Sequence, residues 1–205
     1  MLMLAGGGVF AYFTMGHVTR RIDGWINAFD PDIYYAQGGS RQIVEGLFGM
    51  GDGGLLGTGL GNGSPYLVPL ANSDMIVAAL GEELGLIGLS AIVLLYLILI
   101  SRGMRAALGS RDVFGKLLAT GLSFTLGLQC FVVIGGVTRL IPLTGLTTPF
   151  MAAGGSSLLA NWIIVAILLL ISHNSRRPMQ AGLSATAEVA TEAPRRQKLT
   201  KEAKQ

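Results

Sequence analysis

A stretch without any charged residue, residues 84–101, reads LGLIGLSAIVLLYLILIS. An α-helix rises about 1.5 Å per residue, so about 20 apolar residues cross a hydrocarbon core of about 30 Å. Residues 117–138 and 140–175 are also free of Lys, Arg, Asp and Glu. The three stretches predict membrane-spanning helices over residues 75–101, 117–138 and 150–173.

The composition of the chain agrees with an all-α integral membrane protein. Of its 205 residues, 51% are hydrophobic and 13% are charged, whereas soluble domains contain about 25% charged residues. Residues 1–16 are apolar but short, and they lack the basic start and the cleavage site of a signal peptide. They predict part of a fourth spanning helix, so we expect a fragment or a mis-assigned start codon.

The distribution of charge predicts the orientation of these helices. The connection of residues 102–116 and the tail of residues 174–205 are both rich in Lys and Arg. Because basic residues in short connections stay cytoplasmic, both segments are expected inside, and residues 17–74 and 139–149 form outer loops. The tail has the composition of a disordered segment attracted to anionic membrane lipids, so the sequence pI near 9.2 does not indicate nucleic-acid binding.

Asp74 lies just before the first predicted spanning helix, in the sequence PLANSDMI of residues 69–76. Asn, Ser and Asp at a helix start commonly cap its free N–H groups, and capping is the more usual role for such a residue. A carboxylate at the membrane surface can also act on the head group of a lipid-linked substrate. A capping carboxylate can still face a cleft, so both roles stay open.

Other polar residues lie close to the predicted membrane boundary. Glu82 and Glu83 are one or two turns inside a helix, where a charge is costly and indicates a paired or functional role unless that end protrudes into water. Arg139, at the outer end of the second predicted helix, can pair with a pyrophosphate or extend to the interface. Ser156 and Ser157 follow two glycines and suit close helix packing as well as substrate contact.

The glycine-rich run of residues 49–63 is either a flexible linker or a loop that brings backbone N–H groups to an anion such as pyrophosphate. Asp74 and Glu82 are eight residues apart in sequence, which corresponds to about 12 Å of helical rise. Glycosidase carboxylate pairs are about 5–9.5 Å apart, so a site with one carboxylate is predicted. The histidines and the single cysteine are far apart in sequence, and no metal site is predicted from them.

With these residues in view, residues 19–172 resemble the SEDS family (shape, elongation, division and sporulation), whose members include RodA, FtsW and SpoVE. The motifs are weak singly but specific in this order: Arg21 to Asp30-Pro31, GGLLGTGLG at 53–61, SDMI at 73–76, EELG at 82–85, IPLTG at 141–145 and GGSSLL at 154–159. Ser73 and Met75 replace the usual Thr and Phe of the family and leave Asp74 intact. The sequence GGVTRLIP at 135–142 is most similar to actinobacterial RodA-type members, which favours elongation over division.

The resemblance implies a peptidoglycan glycosyltransferase that polymerises lipid II at the outer face of the bacterial cytoplasmic membrane, with a class B penicillin-binding protein as its transpeptidase partner. The family's essential aspartate falls on Asp74. Its implied role is to help deprotonate the acceptor sugar hydroxyl while undecaprenyl pyrophosphate leaves. A divalent cation, Mg²⁺ or Mn²⁺, could bridge Asp74 and the pyrophosphate. The candidate substrate-binding residues are Arg139, Glu82, Glu83, Ser156 and Ser157.

Family members usually have about ten spanning helices, and the chain matches the C-terminal part of that ten-helix fold, with three full helices and part of a fourth. The chain alone is therefore expected to be inactive. Two other classes of function stay open. One is a flippase or transporter of lipid-linked precursors, and the other is a non-catalytic membrane scaffold that binds a transpeptidase.

Overall fold

The computed structural model describes residues 13–36 and 38–176. Within these ranges all regular structure is helical, which confirms the all-α fold class. The partial helix predicted for residues 1–16 lies almost entirely outside the described residues, as does the tail predicted from residue 174, except for its first three positions. The helices are α1 Gly16–Ile26, α2 Pro31–Tyr34, α3 Arg41–Gly53, a short 3-10 helix Pro65–Leu67, α4 Ile76–Gly109, α5 Val113–Val137 and α6 Gly155–Arg176.

Helices α4, α5 and α6 are each long and apolar enough to span a membrane, so the chain is a multi-pass membrane protein. Their bounds differ from the predicted ones. Helix α4 continues eight residues past Ser101, because Arg102 and Arg105 mark the edge of the hydrocarbon and not the end of the helix. The connection predicted over residues 102–116 is therefore only three residues long, and Asp112 caps α5 by accepting a hydrogen bond of 2.9 Å from the Gly115 amide.

The last spanning helix begins at Gly155 and not at residue 150. Two contacts hold the preceding residues in a turn. The Tyr96 hydroxyl of α4 donates a hydrogen bond to the carbonyl of Pro149, and the Ala153 amide donates to the carbonyl of Asn72 at 2.8 Å. The outer loop predicted over residues 139–149 consequently extends to residue 154.

The segment predicted as an outer loop, residues 17–74, contains α1, α2, α3 and the 3-10 helix. Helix α3 forms because Ile43 and other apolar residues on one face pack against the N-terminal end of α4 and the adjoining part of α5. The prediction of a loop missed this packing, since the segment is too polar and too rich in glycine to resemble a buried helix. The buried cluster that joins these elements consists of Ile43, Val68, Met75, Val77, Ala78, Val133, Val137 and Leu143.

Helix α4 is broken at Gly85, whose φ of 66° and ψ of −172° are not helical. In a continuous helix the amides of Leu86 and Ile87 would donate to the carbonyls of Glu82 and Glu83. The break separates both pairs, so four backbone groups near the N-terminal end of a membrane helix need other partners.

Residues 54–64, here called the glycine plug, supply all four partners. The two free amides donate to plug carbonyls, and the two free carbonyls accept from plug amides. The segment is therefore fastened to α4 and is not a free linker, and the amides of Thr58 and Gly59 are engaged by α4 and not by an anion. The four hydrogen bonds run from Leu86 N to Gly54 O at 2.9 Å, Ile87 N to Leu55 O at 3.2 Å, Thr58 N to Glu82 O at 3.0 Å and Gly59 N to Glu83 O at 3.0 Å.

Replacing Gly85 by alanine is expected to destabilise the protein. A Cβ atom there would lie 2.3 Å from the Gly57 amide nitrogen, and the positive φ disfavours any L side chain, a strain of roughly 1–3 kcal/mol. Thermal unfolding of the detergent-solubilised protein measures the loss. Gly121→Ala is the matched control, because nothing lies within 4 Å of its added Cβ and alanine favours a helix. Equal unfolding temperatures for Gly85→Ala and the unsubstituted protein would contradict the account of the break.

Candidate functional site

Asp74 occupies the turn before α4, but it does not cap the helix. The N-cap residue is Met75, and no side chain caps it. Leu70 adopts a φ of 60°, which directs its carbonyl at the amides of Ser73 and Met75, at 3.0 Å and 3.2 Å. Because a backbone carbonyl takes this role, the prediction of a capping carboxylate is wrong. Within residues 13–36 and 38–176 no group forms a hydrogen bond or an ion pair with Asp74.

The Asp74 side chain faces a cavity of about 330 Å³ between α1, α3, the Leu70 turn and the loop after α5. Three residues that can carry positive charge line this cavity, together with one carboxylate. The residues with functional groups are His17, Arg20, Arg21, Gln42 and Asp74.

Arg21 and Asp74 approach the same small space beside Gly145. The Arg21 guanidinium donates a hydrogen bond of 2.9 Å to the Leu143 carbonyl. A Cβ atom on Gly145 would lie 3.4 Å from Nη2 of Arg21 and 3.5 Å from Oδ2 of Asp74. Glycine at this position, with a φ of 73°, therefore leaves room for a ligand that contacts a guanidinium and a carboxylate at once.

Sequence analysis did not identify Arg20 and Arg21 as site residues. The two arginines could have been recognised from the sequence, because they are two of the few basic residues in a segment assigned to the outer side of the membrane, where Lys and Arg are uncommon. Their relation to Asp74 could not be read from spacing, since 53 positions in the numbering separate Arg21 from Asp74.

Glu82 lies apart from the cavity. It is buried, with 6% of its surface exposed, and its Oε1 accepts a hydrogen bond of 2.6 Å from the Ser64 amide. Its role in the structure is to fasten the end of the glycine plug to α4. Glu83 is half-buried and lines a separate cavity of about 470 Å³ on the other side of Leu70.

Arg139 also lies outside the cavity and holds the end of α1. Its Nε and Nη2 donate hydrogen bonds of 2.9 Å to the carbonyls of Trp25 and Ile26, and the Trp25 indole donates back to the Arg139 carbonyl at 3.1 Å. The guanidinium lies 5.2 Å from the centroid of the Phe29 ring. These contacts fix the helix that carries Arg20 and Arg21.

The two serines lie at the start of α6. Ser157 Oγ accepts hydrogen bonds from Thr147 Oγ1 at 2.8 Å and from Asn161 Nδ2 at 3.3 Å, which joins the loop to the helix. Ser156 is exposed. Of the six predicted site residues, the structure therefore brings only Asp74 into the cavity.

The cavity does not fit a divalent cation held by this part of the protein alone. Of the residues that the structure describes, Asp74 is the one carboxylate that lines the cavity, and Arg20 and Arg21 line it as well. Among the described residues, no group of three or more His, Cys, Asp or Glu could hold a metal ion. Mg²⁺ and Mn²⁺ require several oxygen ligands, which the described lining of the cavity does not supply.

Comparison with known proteins identifies similar sequences and a similar fold. A family model described as "Cell cycle protein", that of FtsW, RodA and SpoVE, matches residues 1–177. The chain is 58% identical to the peptidoglycan glycosyltransferase RodA of Mycobacterium tuberculosis, over 88% of this chain and 38% of that protein. It is 40% identical to stage V sporulation protein E of Bacillus subtilis, over 77% of this chain and 42% of that protein.

A solved structure of a peptidoglycan synthase complex contains a chain of similar fold. The TM-score is 0.65 at 21% identity, covering 86% of this chain and 48% of that one. The chain thus spans about two fifths of the length of the curated relatives described above. The identity to mycobacterial RodA fits the expectation of an actinobacterial RodA-type member.

Replacing Arg139 by alanine is expected to release α1. Two hydrogen bonds from a charged donor would be lost, of which one is part-buried and one exposed; the part-buried bond contributes about 1.5–3 kcal/mol and the exposed one less, because water screens it. Faster hydrogen exchange at the amides of residues 16–26 measures the release. Arg41→Ala is the control, because it removes only an exposed ion pair of 2.8 Å with Glu45. Unchanged exchange in α1 of the Arg139 variant would refute the clamp.

Proposed function

Since the chain belongs to the FtsW/RodA/SpoVE family of cell cycle proteins, we propose that it is part of a peptidoglycan glycosyltransferase that polymerises lipid II. One observation carries the proposal. Asp74 presents a carboxylate to a cavity that two arginines line, and no residue of the described part of the chain forms a hydrogen bond or an ion pair with it. A carboxylate in an ion pair is engaged by its partner, whereas the Asp74 carboxylate is free to accept a proton from a substrate hydroxyl.

The arginines of the cavity suit the negative charge of the leaving pyrophosphate, and Asp74 suits the proton that the acceptor hydroxyl loses. Arg20 and Arg21 bind the pyrophosphate of the lipid-linked donor, because guanidinium groups pair with phosphate oxygens in a bidentate manner. Asp74 accepts the proton of the acceptor sugar hydroxyl. The hydroxyl oxygen then bonds to the anomeric carbon of the donor, and the bond from that carbon to the pyrophosphate breaks. The leaving pyrophosphate takes the electron pair, and the arginines stabilise its charge.

The remaining features of the proposal concern the whole protein. Orientation by positive charge puts the Asp74 cavity outside the bacterial cytoplasmic membrane and the C-terminus in the cytoplasm. The relatives extend well beyond the aligned region, so the complete enzyme adds walls to the cavity and the chain alone is inactive. The similar chain in a synthase complex supports a transpeptidase of the penicillin-binding class as partner.

A flippase for lipid-linked precursors is the second candidate, because a cationic cavity at the membrane surface also suits binding without chemistry. The two candidates differ in what they require of Asp74. Transport needs charge complementarity, whereas glycosyl transfer needs a proton acceptor at that position.

Asp74→Asn in the full-length protein is expected to lower the rate of glycan polymerisation at least ~10²-fold, the usual contribution of a general base. The amide keeps the shape of the side chain but cannot accept the proton. Asp52→Asn, which changes an exposed carboxylate of α3, serves as control and should keep its activity. Polymerisation of labelled lipid II is measured by gel electrophoresis. Glycan synthesis at the normal rate by Asp74→Asn would refute the proposal and favour the flippase.

Arg21→Ala is expected to raise the KM for lipid II by ~10-fold or more, since the hydrogen bond of a charged group contributes about 1.5–3 kcal/mol. Arg21→Lys should recover only part of the loss, because an ammonium group lacks the planar fork of a guanidinium. Initial rates over a range of lipid II concentrations separate KM from kcat. A change in neither constant would remove Arg21 from the substrate site.

A further inference from the structure

The glycine plug exposes large apolar side chains in a region without charge. No Lys, Arg, Asp or Glu occurs in residues 53–73. Leu55, Leu56 and Leu60 are exposed over 65%, 81% and 73% of their surface. Three leucines on so short a segment are uncommon on a surface that faces water, where apolar residues are usually scattered singly.

The plug is level with the edge of the hydrocarbon core. Residues 84–101 of α4 are uncharged and rise about 27 Å, which is close to the thickness of about 30 Å of that core. Glu83 and Arg102 therefore mark its two boundaries. Leu86 and Ile87 lie about 5 Å inside the boundary at Glu83, and they are hydrogen-bonded to the plug carbonyls of Gly54 and Leu55.

The backbone groups at the break are paired in a way that permits this depth. The carbonyls of Glu82 and Glu83 and the amides of Leu86 and Ile87 are all paired with the plug, so the break adds no unpaired backbone group to the lipid. The nearest charged residue of α3, Asp52, is exposed and precedes the plug, whereas the Glu82 carboxylate is turned inward to the Ser64 amide.

We propose that the glycine plug is a membrane anchor, whose leucine side chains Leu55, Leu56 and Leu60 enter the acyl chains of the leaflet on the Asp74 side. The partner is the hydrocarbon of the bilayer lipids, and the plug backbone lies at the boundary with the head groups. An amphipathic segment of this kind typically buries its apolar side by about 5–10 Å. The inference depends on the membrane-spanning helices and not on the proposed glycosyltransferase activity.

The anchor has a consequence for the cavity. The plug is fastened to α4 through Glu82 and Glu83, about two turns from Asp74. Leucines held in the acyl chains would keep the cavity at the level of the lipid head groups, where the pyrophosphate of a lipid-linked molecule resides.

Spin labels on single cysteines test the anchor in the full-length protein reconstituted into liposomes. Cys130→Ala removes the native thiol of the described chain, and any cysteine elsewhere in the full-length protein is also replaced. A nitroxide is then attached at Leu56→Cys. Asp52→Cys, four residues earlier and exposed, is the control for water, and Leu95→Cys, exposed in the middle of α4, is the control for lipid. Collision with oxygen reports lipid, and collision with a water-soluble nickel chelate reports water.

The label at Leu56 is expected to collide with oxygen several-fold more than with the chelate, as at Leu95, and the label at Asp52 should show the opposite preference. A preference for the chelate at Leu56 would overturn the anchor and return the plug to the aqueous loop. Protection from both reagents would also overturn it, because another protein segment would then cover the leucines. Each result is independent of whether Asp74→Asn retains polymerase activity.

Discussion

The break in α4 is the constraint on which the structure around the N-terminal end of that helix depends. A helix that enters a membrane cannot leave backbone groups unpaired, and the φ of Gly85 separates two amides from two carbonyls. The plug that satisfies them continues directly from α3. Helix α3 is thereby held against α4, and its residues Gln42 and Ile43 form one wall of the Asp74 cavity. The break at Gly85 in α4 thus determines the position of the α3 wall of the Asp74 cavity.

The opposite wall is fixed by a different set of contacts. Arg139 holds the C-terminal carbonyls of α1, and Arg21 reaches from the same helix to the carbonyl of Leu143. The loop after α5 therefore forms hydrogen bonds with α1 at two of its residues, Arg139 and Leu143. Neither contact uses a carboxylate, and among the described residues Asp74 forms no ion pair although Arg20 and Arg21 line the same cavity. This arrangement differs from an ordinary surface network of salt bridges, in which carboxylates and guanidinium groups pair with one another.

The sequence was sufficient to predict the spanning helices, but not the architecture around them, and the catalytic role of Asp74 stays a prediction. Uncharged runs identify spans because a charge in hydrocarbon is costly, yet Arg102 shows that charge marks the membrane edge and not the helix end. Helix α3 lies in the segment predicted as an outer loop, because its stability comes from packing on α4 and not from a strongly apolar sequence. The partnership of Arg21, Asp74 and Gly145 could not be predicted, because a fold and not a spacing brings three distant segments together. Glu82 and Arg139 were recognised as unusual, and the structure assigns them to holding the plug and α1.

The meeting of the plug with the broken helix restricts how this surface can evolve. A Cβ on Gly57 would lie 2.2 Å from the Glu83 carbonyl oxygen, and a Cβ on Gly85 would lie 2.3 Å from the Gly57 nitrogen. In both cases the obstructing atom belongs to the main chain, which every amino acid shares. A compensating mutation usually replaces a neighbouring side chain by a smaller one. The nearest atoms to both glycines are backbone atoms, so no smaller side chain would relieve the clash. A substitution at Gly57 or Gly85 therefore cannot be compensated by a second mutation among its immediate contacts. We expect both positions to tolerate neither single nor paired substitutions.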